Sequence, residues 1–113
     1  RTRTGIVLGT PSFMSPEQLQ GRAVTGRSDL FSLAVTLFQL LTGQLPFRAD
    51  SMPALMFKIA HDAHPPIDAV RPGLPAGLQP FFDRALAKEP ADRHDSGAAF
   101  AEALRRLNAP DRT

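Results

Sequence analysis

The sequence predicts a mainly α-helical fold with no sheet, on three observations. Apolar residues recur at helical spacing in several separate segments, cap residues flank those segments, and no stretch alternates apolar and polar residues as a half-buried strand does. At 113 residues the chain is one domain or part of one. Its 11 prolines cluster between the apolar segments, where they punctuate helices rather than break them.

Residues 1–14 read as an extended loop, because Gly5, Gly9 and Pro11 interrupt any helix. Ser15 is then a good N-cap, Pro16 suits the first helical position, and Gln18 completes a capping box. Gly21 stops this short helix, and Arg22 to Arg27 form a polar loop. A second helix is predicted from Asp29 to Thr42, with Ser28 as cap and Gly43 beyond its end. Leu30, Phe31, Leu33, Ala34, Val35, Leu37, Phe38, Leu40 and Leu41 cover nearly every face of it, so burial on all sides is expected.

Leu45-Pro46-Phe47 turns the chain, and Ser51 and Pro53 open a third helix through Ala60 with Leu55, Met56 and Ile59 as its apolar stripe. His64-Pro65-Pro66 starts a loop that runs to Pro75. A fourth helix from Leu78 to Lys88 presents Leu78, Phe81, Phe82, Ala85 and Leu86, with Pro80 in its first turn. A last helix from Ser96 places Phe100, Leu104 and Leu107 on one face, and the tail 109–113 is expected to fray.

Composition excludes several functions. The chain has no cysteine, so disulfides, thiol chemistry and cysteine metal sites are ruled out. Net charge is +2 and no basic run interleaves with aromatics, which gives nucleic-acid binding no support. The apolar stretch Leu30 to Leu41 is too short for the roughly 20 residues of a membrane span. No metal site is expected: His61 and His64 stand at helical spacing, but no third ligand accompanies them, and solvated positions at a helix end are expected for both. His94 is expected to serve in packing.

Four motifs carry a family resemblance. Gly9 to Glu17 read Gly-Thr-Pro-Ser-Phe-Met-Ser-Pro-Glu; Asp29 to Leu33 read Asp-Leu-Phe-Ser-Leu; Leu41-Thr42-Gly43 is followed by Leu45-Pro46-Phe47; and Ala87 to Arg93 read Ala-Lys-Glu-Pro-Ala-Asp-Arg. In this order they resemble the end of the activation segment and the large lobe of bacterial Hanks-type serine/threonine protein kinases, with Ser15-Pro16-Glu17 in place of Ala-Pro-Glu. The resemblance covers residues 1–108, read as a partial catalytic domain whose parent is an α+β kinase fold.

The resemblance implies roles residue by residue. Gly9, Thr10 and Pro11 match the substrate-site shelf, where a threonine hydroxyl can both donate and accept. Ser15, Pro16 and Glu17 match its structural anchor. Glu17 and Arg93 match a buried ion pair, for which arginine's rigid fork is suited. Asp29 matches an aspartate that accepts N–H bonds from the catalytic loop. A plain cap or dipole partner is the alternative, but the role implied by the resemblance is the stronger reading, and without that loop the burial of Asp29 would be costly to the isolated piece. Thr2 and Thr4 match activating phosphorylation sites.

Phosphoryl transfer requires a glycine-rich loop, a strand lysine and catalytic and metal-binding carboxylates. No catalytic residue of this kind is assignable in the 113 residues. The expectation is therefore a piece of an ATP- and Mg2+-dependent serine/threonine kinase that is inactive alone and binds neither cofactor alone. Its partners would be protein substrates and, for the parent, a second copy of itself. A cytoplasmic location is expected, with membrane anchoring of the parent left open. A pseudokinase remnant or docking module that binds proteins through the helices after Gly43 is the alternative, and an unrelated small helical domain is a third reading. Expressed alone, the chain is expected to expose apolar surface and to be poorly soluble or molten.

Overall fold

The computed structural model describes residues 10–108, with side-chain surroundings given from Pro11 to Leu107. Among these residues there are six α-helices and no strand: α1 Pro16–Leu19, α2 Gly26–Thr42, α3 Met52–His61, α4 Ile67–Val70, α5 Leu78–Ala85 and α6 Gly97–Asn108. Two 3-10 turns, Thr10–Phe13 and Pro90–Asp92, complete the order. Helices α5 and α6 pack on α2 and on each other, while the Thr10–Phe13 turn is held between α2 and α3.

The long helix α2 begins three residues earlier than its apolar pattern suggests. Thr25, not Ser28, is the N-cap: its hydroxyl accepts from the Arg27 N–H, and Ser28 reaches back to accept from the Thr25 N–H. Ser28 is thus the far half of the capping box rather than the cap itself. At the other end Gly43 adopts φ 83°, a left-handed geometry that a side chain disfavours, and its N–H returns to the Gln39 carbonyl at 2.8 Å.

The expectation that α2 is buried on all sides is not met. Leu30, Phe31, Ala34, Val35 and Phe38 are buried, but Leu33 and Leu40 are 49% and 74% exposed. Asp29 and Thr36 are exposed as well, and the four positions recur at steps of four, three and four along one stripe. The buried side meets Phe47, Ile59, Phe81, Phe82 and Phe100 in one core. Phe38 meets Phe82 edge-on at 5.3 Å between ring centres, and Phe81 meets Phe100 at 5.1 Å.

The remaining helices follow from local chemistry. In α3 the Ser51 hydroxyl caps the Ala54 N–H, and Leu55 and Ile59 face the core, whereas Met56 lies off that stripe and is exposed. Helix α4 interrupts what the sequence suggests is a continuous loop. It is a single turn, too short for periodicity to reveal, and the Gln79 side chain accepts its first N–H, that of Ile67, at 2.9 Å. Helix α5 ends at Ala85, not at Lys88, and beyond it the Ala87 and Lys88 carbonyls accept from Arg93. Helix α6 is capped by the Ser96 hydroxyl on the Ala99 N–H and buries Phe100.

Candidate functional site

Glu17 in α1 and Arg93, just after the Pro90–Asp92 turn, meet in the interior, each 1% exposed. Helix α1 places the carboxylate, since the Ser15–Gln18 capping box fixes its first turn and Ser15 and Pro16 are themselves buried. The Pro90–Asp92 turn delivers Arg93 from the other end of the sequence. The guanidinium grips the carboxylate with two bonds, Nη1 to Oε2 at 2.7 Å and Nη2 to Oε1 at 2.8 Å.

Every donor of Arg93 is used. Beyond the two carboxylate bonds, Nε donates to the Ala87 carbonyl at 2.8 Å, Nη1 to Arg27 at 3.1 Å and Nη2 to Lys88 at 3.1 Å. Those bonds use all the N–H groups a guanidinium has, so the charge is buried without an unmet donor. The ring of Phe31 lies 4.9 Å beneath it. Ser28 donates to Glu17 Oε2 at 2.5 Å, which joins the α2 capping box to the ion pair. Burial alone would raise the Glu17 carboxyl; the Arg93 and Ser28 hydrogen bonds outweigh it and hold the group down at about 2.

Two further contacts extend this frame. The Ser32 hydroxyl donates to the Phe13 carbonyl at 2.5 Å, fastening the end of the Thr10–Phe13 turn to α2. Lys88 lies over the Phe47 ring at 4.2 Å and donates to the Ile59 carbonyl at 2.7 Å and that of Lys58 at 3.3 Å, so it caps the end of α3. Burial pushes its amine down to about 8, with the Arg93 charge acting in the same direction and Asp62 against. Sequence reasoning missed Ser28, Ser32 and Lys88 in these roles. The only available signal was that each lies inside or beside a quoted motif.

The other predicted positions distribute as follows. Gly9, Thr2 and Thr4 lie outside the described residues; Thr10 starts the 3-10 turn and Pro11 is half-buried within it. Asp29 is exposed in the first turn of α2, so the expected cost of a buried lone carboxylate does not arise. His61 is exposed, but His64 is buried rather than solvated: its Nε2 lies 2.9 Å from Asp83 Oδ1 and its Nδ1 2.8 Å from the Pro65 carbonyl. His94 packs between Phe81 and Phe100 with Nδ1 unpartnered, and burial, aided by Arg84, pushes its imidazole down. Among the described residues no group of three His, Cys, Asp or Glu is placed to hold a metal ion. No helix among them is long and apolar enough to cross a membrane.

Comparison with known proteins bears on what this frame is. The protein kinase domain family model matches residues 2–105. Serine/threonine-protein kinase Pkn1 of Myxococcus xanthus is 47% identical over 106 residues, which cover 92% of this chain and 15% of Pkn1. Tyrosine-protein kinase MasK of the same species is 38% identical over 103 residues, covering 91% of this chain and 16% of MasK. The chain therefore spans under a fifth of the length of these relatives. The kinase domain of Mycobacterium tuberculosis PknI superposes with a TM-score of 0.68 at 35% identity, over 89% of this chain and 36% of that chain. Sequence and fold agree over nearly the whole chain, and it belongs to the protein kinase domain family.

Proposed function

We propose that residues 1–108 are the substrate-side part of the large lobe of a bacterial serine/threonine protein kinase, whose whole protein transfers the γ-phosphoryl group of ATP to protein serine or threonine. The observation that carries this reading is the buried Glu17–Arg93 pair, which ties the segment leading out of the Thr10–Phe13 turn to the far end of the lobe. A shelf for a substrate peptide must hold its shape while side chains of many sequences pass over it. Five bonds from one buried cation, the Ser32 bond to Phe13 and the Ser15 capping box supply that rigidity from three directions. Hydroxyl specificity for serine and threonine is supported by Thr10 in Gly-Thr-Pro and by the likeness to Pkn1.

ATP and Mg2+ are implied by the family, but the described residues do not fit them. No carboxylate cluster is placed to hold the metal, and the sequence has no glycine-rich phosphate loop, so no step of phosphoryl transfer is assigned to these side chains. Their part is to bind and orient the acceptor. The 113-residue chain alone is proposed to be inactive.

The test is transfer of label from γ-labelled ATP by the full-length protein that carries this chain, with phosphoamino-acid analysis of the product. Label on serine or threonine is expected, with none transferred by the 113 residues alone. Label confined to tyrosine, as the likeness to MasK allows, or transfer by the 113 residues alone would contradict the reading. A second reading, a docking module without transferase activity, is favoured by Met52, Met56 and Phe57, which are 39%, 37% and 59% exposed on α3. It predicts a protein partner captured by the full-length protein, lost on Met56→Asp, with no label transfer at all. Met56 is the better probe than Leu55, which is buried in the core.

A further inference from the structure

Among the described residues, Nδ1 of His94 is the one fully buried side-chain nitrogen or oxygen without a hydrogen-bond partner. The ring is 3% exposed and lies between Phe81 of α5 and Phe100 of α6, at 5.3 Å and 5.5 Å between ring centres. Phe81 and Phe100 also meet each other, so three rings form one cluster that joins the two helices. We propose that His94 is an acid-sensitive latch, which seats α6 on α5 while the imidazole is neutral and loosens it when the ring takes up a proton. The inference stands on this packing and does not depend on the reading of the Thr10–Phe13 turn.

The two protonation states differ in what they ask of the site. A neutral imidazole carries one N–H and can leave Nδ1 as a bare acceptor, which forgoes a single hydrogen bond. An imidazolium carries an N–H on both nitrogens. Its Nδ1–H would be a charged donor at a buried position where no acceptor lies within reach, and burying a charge that way is costly. Opening the contact between α5 and α6 brings water to that donor and relieves the cost.

The surrounding charges do not compensate. On α5, Arg84 repels a cation at His94. Asp95, next in sequence, attracts it, but that carboxylate is largely exposed and already lies 3.3 Å from Arg27 of α2. Arg93, on the other side, sends its guanidinium to Glu17. On α6, Glu102, Arg105 and Arg106 pair with one another at the exposed surface. Burial first and Arg84 second therefore hold the imidazole below its ordinary 6.5. An imidazole freed from the contact regains that ordinary value and binds the proton more readily. The stability His94 lends to the seated helix is thus present above 6.5 and is lost as pH falls from there through the lowered value.

The test is hydrogen exchange of the intact protein that carries this chain, read by mass spectrometry at about pH 7.5, 6.5 and 5.5 and corrected for the intrinsic exchange rate. Opening of the α6 peptide is expected to increase by about threefold to tenfold across that range, one proton allowing at most about tenfold per pH unit. In His94→Phe, which keeps an aromatic ring but takes up no proton, the increase should fall below about twofold. Arg84→Gln should lessen the increase and Asp95→Asn enlarge it. Opening that is equal at all three pH values in the wild type would overturn the proposal. So would an increase that persists unchanged in His94→Phe, since it would belong to another group such as His64. Where His94→Phe does not fold, the NMR signal of the His94 ring in the wild type decides. The ring must take up its proton below 6.5 and in step with the opening of α6, and protonation while α6 stays protected would refute the latch.

Discussion

Removing the Arg93 guanidinium leaves more than one empty place. In Arg93→Ala the Glu17 carboxylate keeps only Ser28 and local backbone as partners while remaining 1% exposed, and the Ala87, Lys88 and Arg27 carbonyls each lose a donor. Stranding one member of a buried pair costs about 3–5 kcal/mol. The shift of the carboxyl itself points the same way. Lowering the Glu17 carboxyl from its ordinary 4.5 to about 2 corresponds to about 3 kcal/mol of preference for the anion in the folded state.

The lowered carboxyl also sets how stability depends on pH. With its carboxyl held below the unfolded value, Glu17 contributes stability above about pH 4.5 that is lost as pH falls towards 2. Without Arg93, burial raises the carboxyl instead, so in the variant this group favours the folded state at low pH and weakens it as pH rises through the unfolded value. Urea unfolding of the intact domain carrying this chain, wild type and Arg93→Ala, at pH 7 and across pH 2 to 5, measures both effects. The expected result is a loss of about 3–5 kcal/mol at pH 7 that shrinks as pH falls. A loss below about 1 kcal/mol, or one that does not change with pH, would show that the pair is worth no more than a surface salt bridge.

Four other outcomes follow from the same contacts. Ser28→Ala removes half of a capping box and one bond to Glu17, so it should cost about 1–2 kcal/mol in the same unfolding assay. Lys88 is held at about 8 against its ordinary 10.5, so its folded form sheds a proton first; stability should rise between those pH values in the wild type and lose that rise in Lys88→Met, as read from urea midpoints. A Cβ added at Gly77 would lie 2.5 Å from Leu107 Cδ2, the flexible end of a side chain; Gly77→Ala should cost about 1 kcal/mol, and much less in a Leu107→Ala background. The 113-residue chain expressed alone, with Leu33 and Leu40 uncovered on α2, should bind a hydrophobic dye and unfold without a sharp transition; a cooperative two-state transition would argue otherwise.

What the sequence disclosed differed between fold and site. Amphipathic spacing and caps were enough to locate α1, α2, α3, α5 and α6, because each signal is local to its own element. The errors lie where a distant group intervenes. Past the early end of α5 two carbonyls accept from the distant Arg93, and α4 is a single turn whose first N–H is met by the Gln79 side chain. Helix α2 looked apolar on every face, yet its 29–33–36–40 stripe is uncovered, which no pattern within α2 reveals.

At the site, pairing Glu17 with Arg93 depended on the family resemblance, since nothing in spacing joins residues 76 apart. The roles of Ser28, Ser32, Lys88 and His64 were not legible because their bonds run to carbonyls or carboxylates in other elements and leave no periodic trace.

The central claim is that this chain forms the substrate side of a kinase, with its turn held in place for the acceptor peptide. Ser32→Ala tests it most directly, because that change releases the Phe13 carbonyl from α2 and leaves the Glu17–Arg93 pair untouched. Steady-state kinetics of the full-length protein should show the peptide KM raised by about fivefold, the effect of one lost hydrogen bond, with the KM for ATP unchanged. A raised KM for ATP with an unaltered peptide KM would contradict the account.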